Sequence, residues 1–92
     1  MKTKAIRVDS LANAGPGAFR LLGDGPDRFT GMQFVCPCGC GDRITLDFDT
    51  FSGPPHWRWN GDRSSPTLTP SIQRLVGCRW HGFLTAGEFV TI

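Results

Sequence analysis

Residues 36–41 read Cys36-Pro37-Cys38-Gly39-Cys40-Gly41, and residues 77–81 read Gly77-Cys78-Arg79-Trp80-His81. The two segments contain all four cysteines of the chain and one of its two histidines. Thiolate sulfur and imidazole nitrogen are the preferred ligands of a structural zinc ion, which takes four of them in a tetrahedron. Glycines beside the ligands permit the tight turns that aim two side chains at one point. The two segments therefore predict one metal site, with zinc as the ion.

Five residues compete for the four ligand positions of this site: Cys36, Cys38, Cys40, Cys78 and His81. The preferred set takes two of the first three cysteines together with Cys78 and His81, which gives three cysteines and one histidine. The spacing does not decide which of the first three cysteines is spare. If His81 is not a ligand, the spare cysteine completes the site, and the metal is held by cysteines alone.

Disulfides and an iron–sulfur cluster are the alternatives to zinc. Two disulfides suit a small secreted protein, but residues 1–7 contain no apolar run, so we expect no signal peptide and a cytoplasmic location. Cysteines two positions apart also pair poorly with each other. The two loops resemble the Rieske arrangement of a [2Fe–2S] cluster, which requires a histidine in the first loop, where this chain has Cys38.

Length and charge limit the possible functions. The 92 residues predict a single domain over 1–92, with the metal-site core at about 30–92. In so short a chain a bound metal adds directly to the folding free energy. The net charge of +2 comes without a basic block, which is unlike a typical nucleic-acid-binding domain. No stretch is long and apolar enough to span a membrane. Four protein ligands would leave no open position for an activated water, so the site is predicted to be structural.

Alternating apolar and polar residues predict a mostly β fold. In residues 43–49, Ile44, Leu46 and Phe48 alternate with polar residues, which is typical of a half-buried strand. Prolines within residues 66–72 exclude a helix and predict an extended edge segment. Further strands are predicted at 4–9, 30–36, 82–85 and 88–92, with either a strand or a buried turn at 18–22. The strands at 30–36 and 43–49 are predicted to form a hairpin with the cysteine loop at its tip, and those at 82–85 and 88–92 a second hairpin around Ala86-Gly87. Together they predict a small antiparallel β domain with two metal-binding loops, zinc-ribbon-like or Rieske-like.

Aromatic and basic residues near the metal loops form a candidate binding surface. Its members are Trp57, Arg58, Trp59, Arg79 and Trp80. Tryptophans interleaved with arginines could stack on bases or contact a protein, although in a small domain one or two of these rings are expected to fill the core instead. No Ser/His/Asp order, phosphate-binding loop or acid pair in the sequence indicates an enzyme.

The motifs together resemble a known protein family. The CPCGCG segment, the segment Pro66-Thr67-Leu68-Thr69-Pro70-Ser71-Ile72 and the segment Gly77-Cys78-Arg79-Trp80-His81 follow one another in order. This pattern is similar to small bacteriophage and bacterial proteins of unknown function, and the resemblance covers about residues 32–92. It implies that the five candidate ligands belong to one metal site, and it supplies no activity. A phage-encoded protein would act in the host cytoplasm. Trp80 stands where the family pattern suggests a small residue.

The predicted function is a non-enzymatic, zinc-stabilised module that presents its Trp/Arg surface to a protein partner. Single-stranded nucleic-acid binding is the first alternative, with weaker support from the modest charge. A Rieske-like electron-transfer domain with a [2Fe–2S] cluster is the second.

Overall fold

The computed structural model describes residues 2–25, 28–48, 57–74 and 77–92. Within these residues the chain forms nine strands and no helix. Their bounds are β1 Lys2–Lys4, β2 Ile6–Arg7, β3 Ala18–Gly25, β4 Arg28–Val35, β5 Arg43–Asp47, β6 Arg58–Trp59, β7 Leu68–Gln73, β8 His81–Thr85 and β9 Glu88–Thr91. The predicted mostly β fold is confirmed. The described part of the chain has no helix long and apolar enough to cross a membrane.

The strands form two sheets that are linked along both edges. The five-stranded sheet has the order β1-β9-β8-β7-β6, and the four-stranded sheet has the order β2-β3-β4-β5. At one edge only Ala5 separates β1 from β2, so one segment passes from the first sheet to the second. At the other edge, Phe48 and Trp57 form a bridge, and the Trp57 N–H donates to the carbonyl of Asp47 at 2.9 Å. The strand predicted at 4–9 is therefore divided at Ala5, where the chain changes sheets.

The two sheets pack face to face around one main core. Its largest fully buried side chains include Phe19, Phe34 and Phe48 from the four-stranded side and Leu84 and Phe89 from the five-stranded side. The alternation in β5 is as predicted, because Ile44, Leu46 and the following Phe48 are buried while the residues between them are exposed. This burial explains why the apolar residues of β5 recur at every second position.

The cysteine segment forms the tip of a β-hairpin. Strands β4 and β5 are antiparallel, with Val35 opposite Arg43, and residues 36–42 connect them. The second predicted hairpin, β8 and β9, is also present and turns at Ala86 and Gly87. Both turn residues have positive φ, 48° and 79°, as a two-residue hairpin turn with the right twist requires.

The segment predicted as an edge strand lies inside a sheet. Strand β7 pairs with β6 on one side and with β8 on the other. A bulge makes this possible. Leu68 is opposite Leu84 and Ile72 is opposite Gly82, so three residues of β7 face the single residue Phe83 of β8. Proline lacks an N–H for the ladder, and a bulge accommodates it within a sheet. The prediction of an edge strand was wrong. Strand β7 has a neighbour on each side, and its proline, Pro70, lies in the bulge, where no ladder N–H is required.

Candidate functional site

A closed turn brings three of the cysteines together. The Cys36 N–H donates to the carbonyl of Asp42 at 2.8 Å, which continues the β4–β5 ladder into the loop. The Gly39 N–H donates to the carbonyl of Cys36 at 3.3 Å, and Gly39 has a φ of 92°. Residues with a side chain rarely adopt this φ, so glycine permits the turn that brings the cysteines of this loop together.

The sulfur atoms of all four cysteines form one group, here called the cysteine cluster. The Sγ atoms of Cys36, Cys38, Cys40 and Cys78 lie within 4.8 Å of one another. Cys36 Sγ is 3.3 Å from Cys38 Sγ and 3.4 Å from Cys78 Sγ. Four thiolates around one zinc ion at about 2.3 Å would be separated by about 3.8 Å. The donor set and its spacing therefore fit one tetrahedral ion.

The electrostatics of the cysteine cluster favour a cation. Burial raises the pKa of the Cys36 thiol above the ordinary range of cysteine, so its thiolate is unfavourable without a compensating positive charge. The pKa of Cys78 is lowered to about 6, first by a hydrogen bond from Cys38 and then by the backbone N–H of Trp80. The N–H of Cys40 also donates to Cys38 Sγ at 3.4 Å. Such N–H donors stabilise thiolate ligands.

Arg74 links the two segments that carry the cysteines. Its Nη1 donates to the carboxylate of Asp42 at 2.9 Å and lies 3.6 Å from Cys78 Sγ. The hydrogen bond with Asp42 raises the pKa of the Arg74 guanidinium, which stays charged. Arg74 also belongs to the sheet, since its backbone N–H donates to the carbonyl of Trp80 at 2.9 Å. One residue thus contacts the first loop, the distal cysteine and the start of β8.

His81 faces a serine and lies outside the cysteine cluster. Among the described residues, the group of potential ligands within mutual reach contains the four cysteines and not His81. The Nε2 atom of His81 is instead 3.2 Å from the Oγ of Ser71. Both side chains are half-buried. This distance allows a hydrogen bond from the serine hydroxyl to the imidazole when the ring proton is on Nδ1.

Sheet register brings Ser71 and His81 together, although ten positions separate them in the sequence. His81 is the first residue of β8 and pairs with Gln73 of β7. Ser71 is two positions before Gln73, so both lie on the sheet face opposite the buried Ile72. Ser71 is also the last residue of the bulge. Bulges re-aim side chains beside functional sites, and this one presents the hydroxyl to the ring of His81.

An indole N–H holds the backbone of Ser71. Trp57 Nε1 donates to the carbonyl of Ser71 at 3.3 Å. Trp57 is itself fixed at the edge where the two sheets join, and it packs against the main core. The residue predicted for a binding surface therefore supports the strand that carries Ser71.

The rest of the predicted Trp/Arg surface is divided between surface and core. Arg58 and Arg79 are exposed, whereas Trp59 is half-buried and stacks on Phe48 with ring centroids 5.3 Å apart. Trp80 is only 4% exposed, and its Nε1 donates to the hydroxyl of Thr91 at 2.9 Å. The assignment of Trp80 to a binding surface was wrong, because its ring fills the space over the α-carbon of Gly82.

Comparison with protein families gives one match. The model of the family described as bacterial ubiquitination-like system serine protease (BubE) matches residues 6–92, which is nearly the whole chain. The chain belongs to the BubE family. Comparisons with curated proteins and with solved structures give no match. Membership corrects the extent of the resemblance, because the BubE match includes most of the first thirty residues as well. The link to phages stays a prediction.

The sequence analysis did not single out Ser71. No local motif of this sequence joins Ser71 to a histidine, and His81 lies three positions after Cys78, a spacing that favours a metal interpretation. A usable signal was nevertheless present. Both Ser71 and His81 belong to the quoted motifs, where Ser71 lies within the extended segment 66–72 and His81 follows Cys78. Pairing those segments as neighbouring strands places the two side chains on one face.

Proposed function

We propose that this chain is a serine peptidase in which Ser71 is the nucleophile and His81 is the general base. The observation that carries the proposal is the 3.2 Å distance between Ser71 Oγ and His81 Nε2. A nucleophile and its base lie within about 3.2 Å of each other in such sites, and often further apart without substrate. The description of the BubE family as a serine protease family supports a serine nucleophile, although it names no residue.

The reaction follows from this geometry. Ser71 Oγ attacks the carbonyl carbon of the scissile peptide bond while His81 Nε2 accepts the hydroxyl proton. The C–N bond breaks, and the leaving amine takes that proton from His81. The acyl group is then an ester on Ser71. A water molecule, which gives a proton to His81, attacks this ester and releases the carboxylic acid, and the proton returns to Ser71 Oγ.

The substrate of this reaction is proposed to be a polypeptide of a bacterial ubiquitination-like system, as the family description indicates. The location of the Ser71–His81 pair suits such a substrate. Both residues lie on the outer face of the five-stranded sheet, where the neighbouring Thr69, Gln73 and Phe83 are exposed. A segment of another protein can reach an open sheet face more easily than a deep cavity.

The cysteine cluster is proposed to hold one structural zinc ion. Four cysteines fill all positions of a tetrahedral ion, which leaves none for a substrate or an activated water. A [2Fe–2S] cluster fits less well, because its ligands are divided between two irons and the Rieske type needs two histidines. The four sulfurs here lie around one point, and His81 faces Ser71.

A non-enzymatic interaction module is the competing hypothesis, and it makes the opposite prediction for Ser71. The exposed Arg58 and Arg79 would then contact a protein partner, and Ser71 would be an ordinary surface hydroxyl. The family description and the serine–histidine distance favour the peptidase.

Labelling with a fluorophosphonate separates the two hypotheses. An activated serine displaces fluoride and forms a phosphonate ester on Oγ, which intact-mass and peptide mapping detect. We expect one label per chain, located on Ser71, and none in Ser71→Ala. The matched control is Ser64→Ala, because Ser64 is exposed in the preceding loop and should leave labelling unchanged. Equal labelling of Ser71 and Ser64, or no labelling of the wild-type chain, would reject the peptidase.

A further inference from the structure

Phe83 is the apolar residue that faces the bulge of Ser71. In the β7–β8 ladder, Phe83 is the only residue of β8 between the pairs Leu68–Leu84 and Ile72–Gly82. It therefore lies across from residues 69–71. Because its neighbours Gly82 and Leu84 are buried, the Phe83 side chain points to the outer face, where it is 43% exposed.

The outer face beside the Ser71–His81 pair is unusually apolar for this molecule. Among the described residues, the exposed large hydrophobic side chains are Ile6, Phe83 and Ile92. Two of them adjoin His81. Phe83 is two positions further along the same strand, at roughly 6.6 Å along its axis, and the Ile92 N–H donates to the carbonyl of His81 at 2.9 Å. Val90, which is half-buried, is directly opposite Phe83.

The direction of the reaction assigns this apolar surface to one part of the substrate. His81 must protonate the leaving amine, so the leaving group lies on the side of Ser71 nearer to His81. The acyl group stays bonded to Ser71 Oγ and extends away from His81. Along β8, the next outward-facing residue on that side is Phe83, with Val90 beside it.

We infer that Phe83 and Val90 form a subsite for an apolar group on the acyl side of the bond that Ser71 cleaves. The inference rests on the proposed function and adds a substrate preference to it. The outward surface of Phe83 and Val90 offers aromatic and aliphatic carbon and no charge, so it favours an aliphatic or aromatic substrate side chain over a charged one. Phe83 is accordingly a specificity residue of this site.

A series of p-nitrophenyl esters tests the subsite with defined acyl chains. Acetate, butyrate and hexanoate share one leaving group and differ only in the length of the acyl chain. A methylene that is half removed from water contributes about half of the full burial energy, so kcat/KM should rise about twofold per methylene. From acetate to hexanoate the expected increase is about fifteenfold after subtraction of the rate of Ser71→Ala.

Variants at two exposed apolar positions make the test specific. We expect Phe83→Ser to lower kcat/KM for hexanoate much more than for acetate, which removes most of the increase with chain length, and Phe83→Leu to retain the increase. The matched control is Ile6→Ser, because Ile6 is similarly exposed, at 54%, but belongs to the four-stranded sheet. It should behave as the wild type.

The outcomes distinguish this inference from the proposed function. If wild-type and Ser71→Ala hydrolyse the esters equally, the peptidase proposal itself fails. If hydrolysis depends on Ser71 but not on chain length, only the subsite is wrong. An equal loss on acetate and hexanoate in Phe83→Ser would also overturn the subsite, because Phe83 would then affect the reacting groups and not the acyl chain.

Discussion

The cysteine cluster and the Ser71–His81 pair are held together in different ways. Three of the four cysteines are exposed, and their sulfurs come from two loops, with the Arg74 guanidinium 3.6 Å from Cys78 Sγ. Ser71 and His81 instead lie on two paired strands, where backbone register and an indole N–H fix their positions. If the proposed zinc is bound, the arrangement of the first region depends on the ion, whereas that of the second depends on the sheet.

The two regions nevertheless share one connection. A short connection, residues 74–80, joins the end of β7 to His81, the first residue of β8. It begins three positions after Ser71 and contains Cys78. A backbone hydrogen bond from the Arg74 N–H to the Trp80 carbonyl joins the two ends of this connection, next to the Gln73–His81 pair. An ion that fixes Cys78 also limits the motion of the segment that leads into His81. Removal of the His81 ring should leave the cysteine cluster intact, because the ring contacts Ser71 and is not one of the grouped ligands.

Loss of the ion should produce the largest effect. Cys36→Ser removes a fully buried ligand, and we expect zinc to fall from one per chain to near zero. The free energy of unfolding should fall by at least about 3 kcal/mol, which lowers the melting temperature of a domain of this size by about 15 °C. Elemental analysis and thermal unfolding measure both, and a chelator added to the wild-type protein should reproduce the shift. Normal melting without metal would show that the sheets alone suffice.

His81→Ala should separate the two regions. If the metal is bound by cysteines alone, the variant retains one zinc per chain. Its free energy of unfolding should lie within about 1 kcal/mol of that of the wild type, as expected for a half-exposed side chain. Reaction with the fluorophosphonate should fall by about 10³-fold because Ser71 has lost its base. Elemental analysis and the labelling rate are measured on one sample. Loss of zinc in this variant would restore the site of three cysteines and one histidine.

The contrast between the regions also explains what the sequence could predict. The candidate ligands Cys36 and Cys38 are two positions apart, so their spacing alone indicates a shared ion. The alternation of Ile44, Leu46 and Phe48 indicates a strand, again from neighbouring residues only. The pairing of Ser71 with His81 depends on which strands are neighbours and on a bulge of the ladder. Such information is not local, so the serine was missed.

Arg74→Gln should weaken metal binding without removing it. The charge beside Cys78 Sγ stabilises the thiolates, and groups of this kind change metal affinity by about 10-fold to 100-fold. We expect an increase of about tenfold in the zinc dissociation constant, measured by competition with a chromophoric chelator. Arg20→Gln is the control, because Arg20 donates to Gln33 on the four-stranded sheet. Unchanged affinity in Arg74→Gln would leave that arginine a purely structural link between β7 and Asp42.

A pair of tryptophan variants should give the smallest effect and the sharpest comparison. Trp57 and Trp59 each donate an indole N–H to a backbone carbonyl, that of Ser71 at 3.3 Å and that of Asp62 at 3.1 Å. Phenylalanine removes either donor and keeps an aromatic ring. A hydrogen bond of this kind contributes about 1 kcal/mol, so Trp57→Phe should lower the fluorophosphonate reaction rate about fivefold if the bond positions Ser71.

Trp59→Phe should change stability by a similar amount and leave the reaction rate unchanged, because Asp62 lies in a loop that does not carry Ser71. Zinc content should stay at one per chain in both variants, since the indole N–H groups donate to Ser71 and Asp62 and not to a cysteine. Position 57 is further tested with a benzothienyl analogue of tryptophan, in which sulfur replaces the N–H and the shape is preserved. A fivefold loss with this analogue would assign the effect to the hydrogen bond. A normal rate with the analogue would assign the loss in Trp57→Phe to packing. The register of β7 and β8 would then be what positions Ser71.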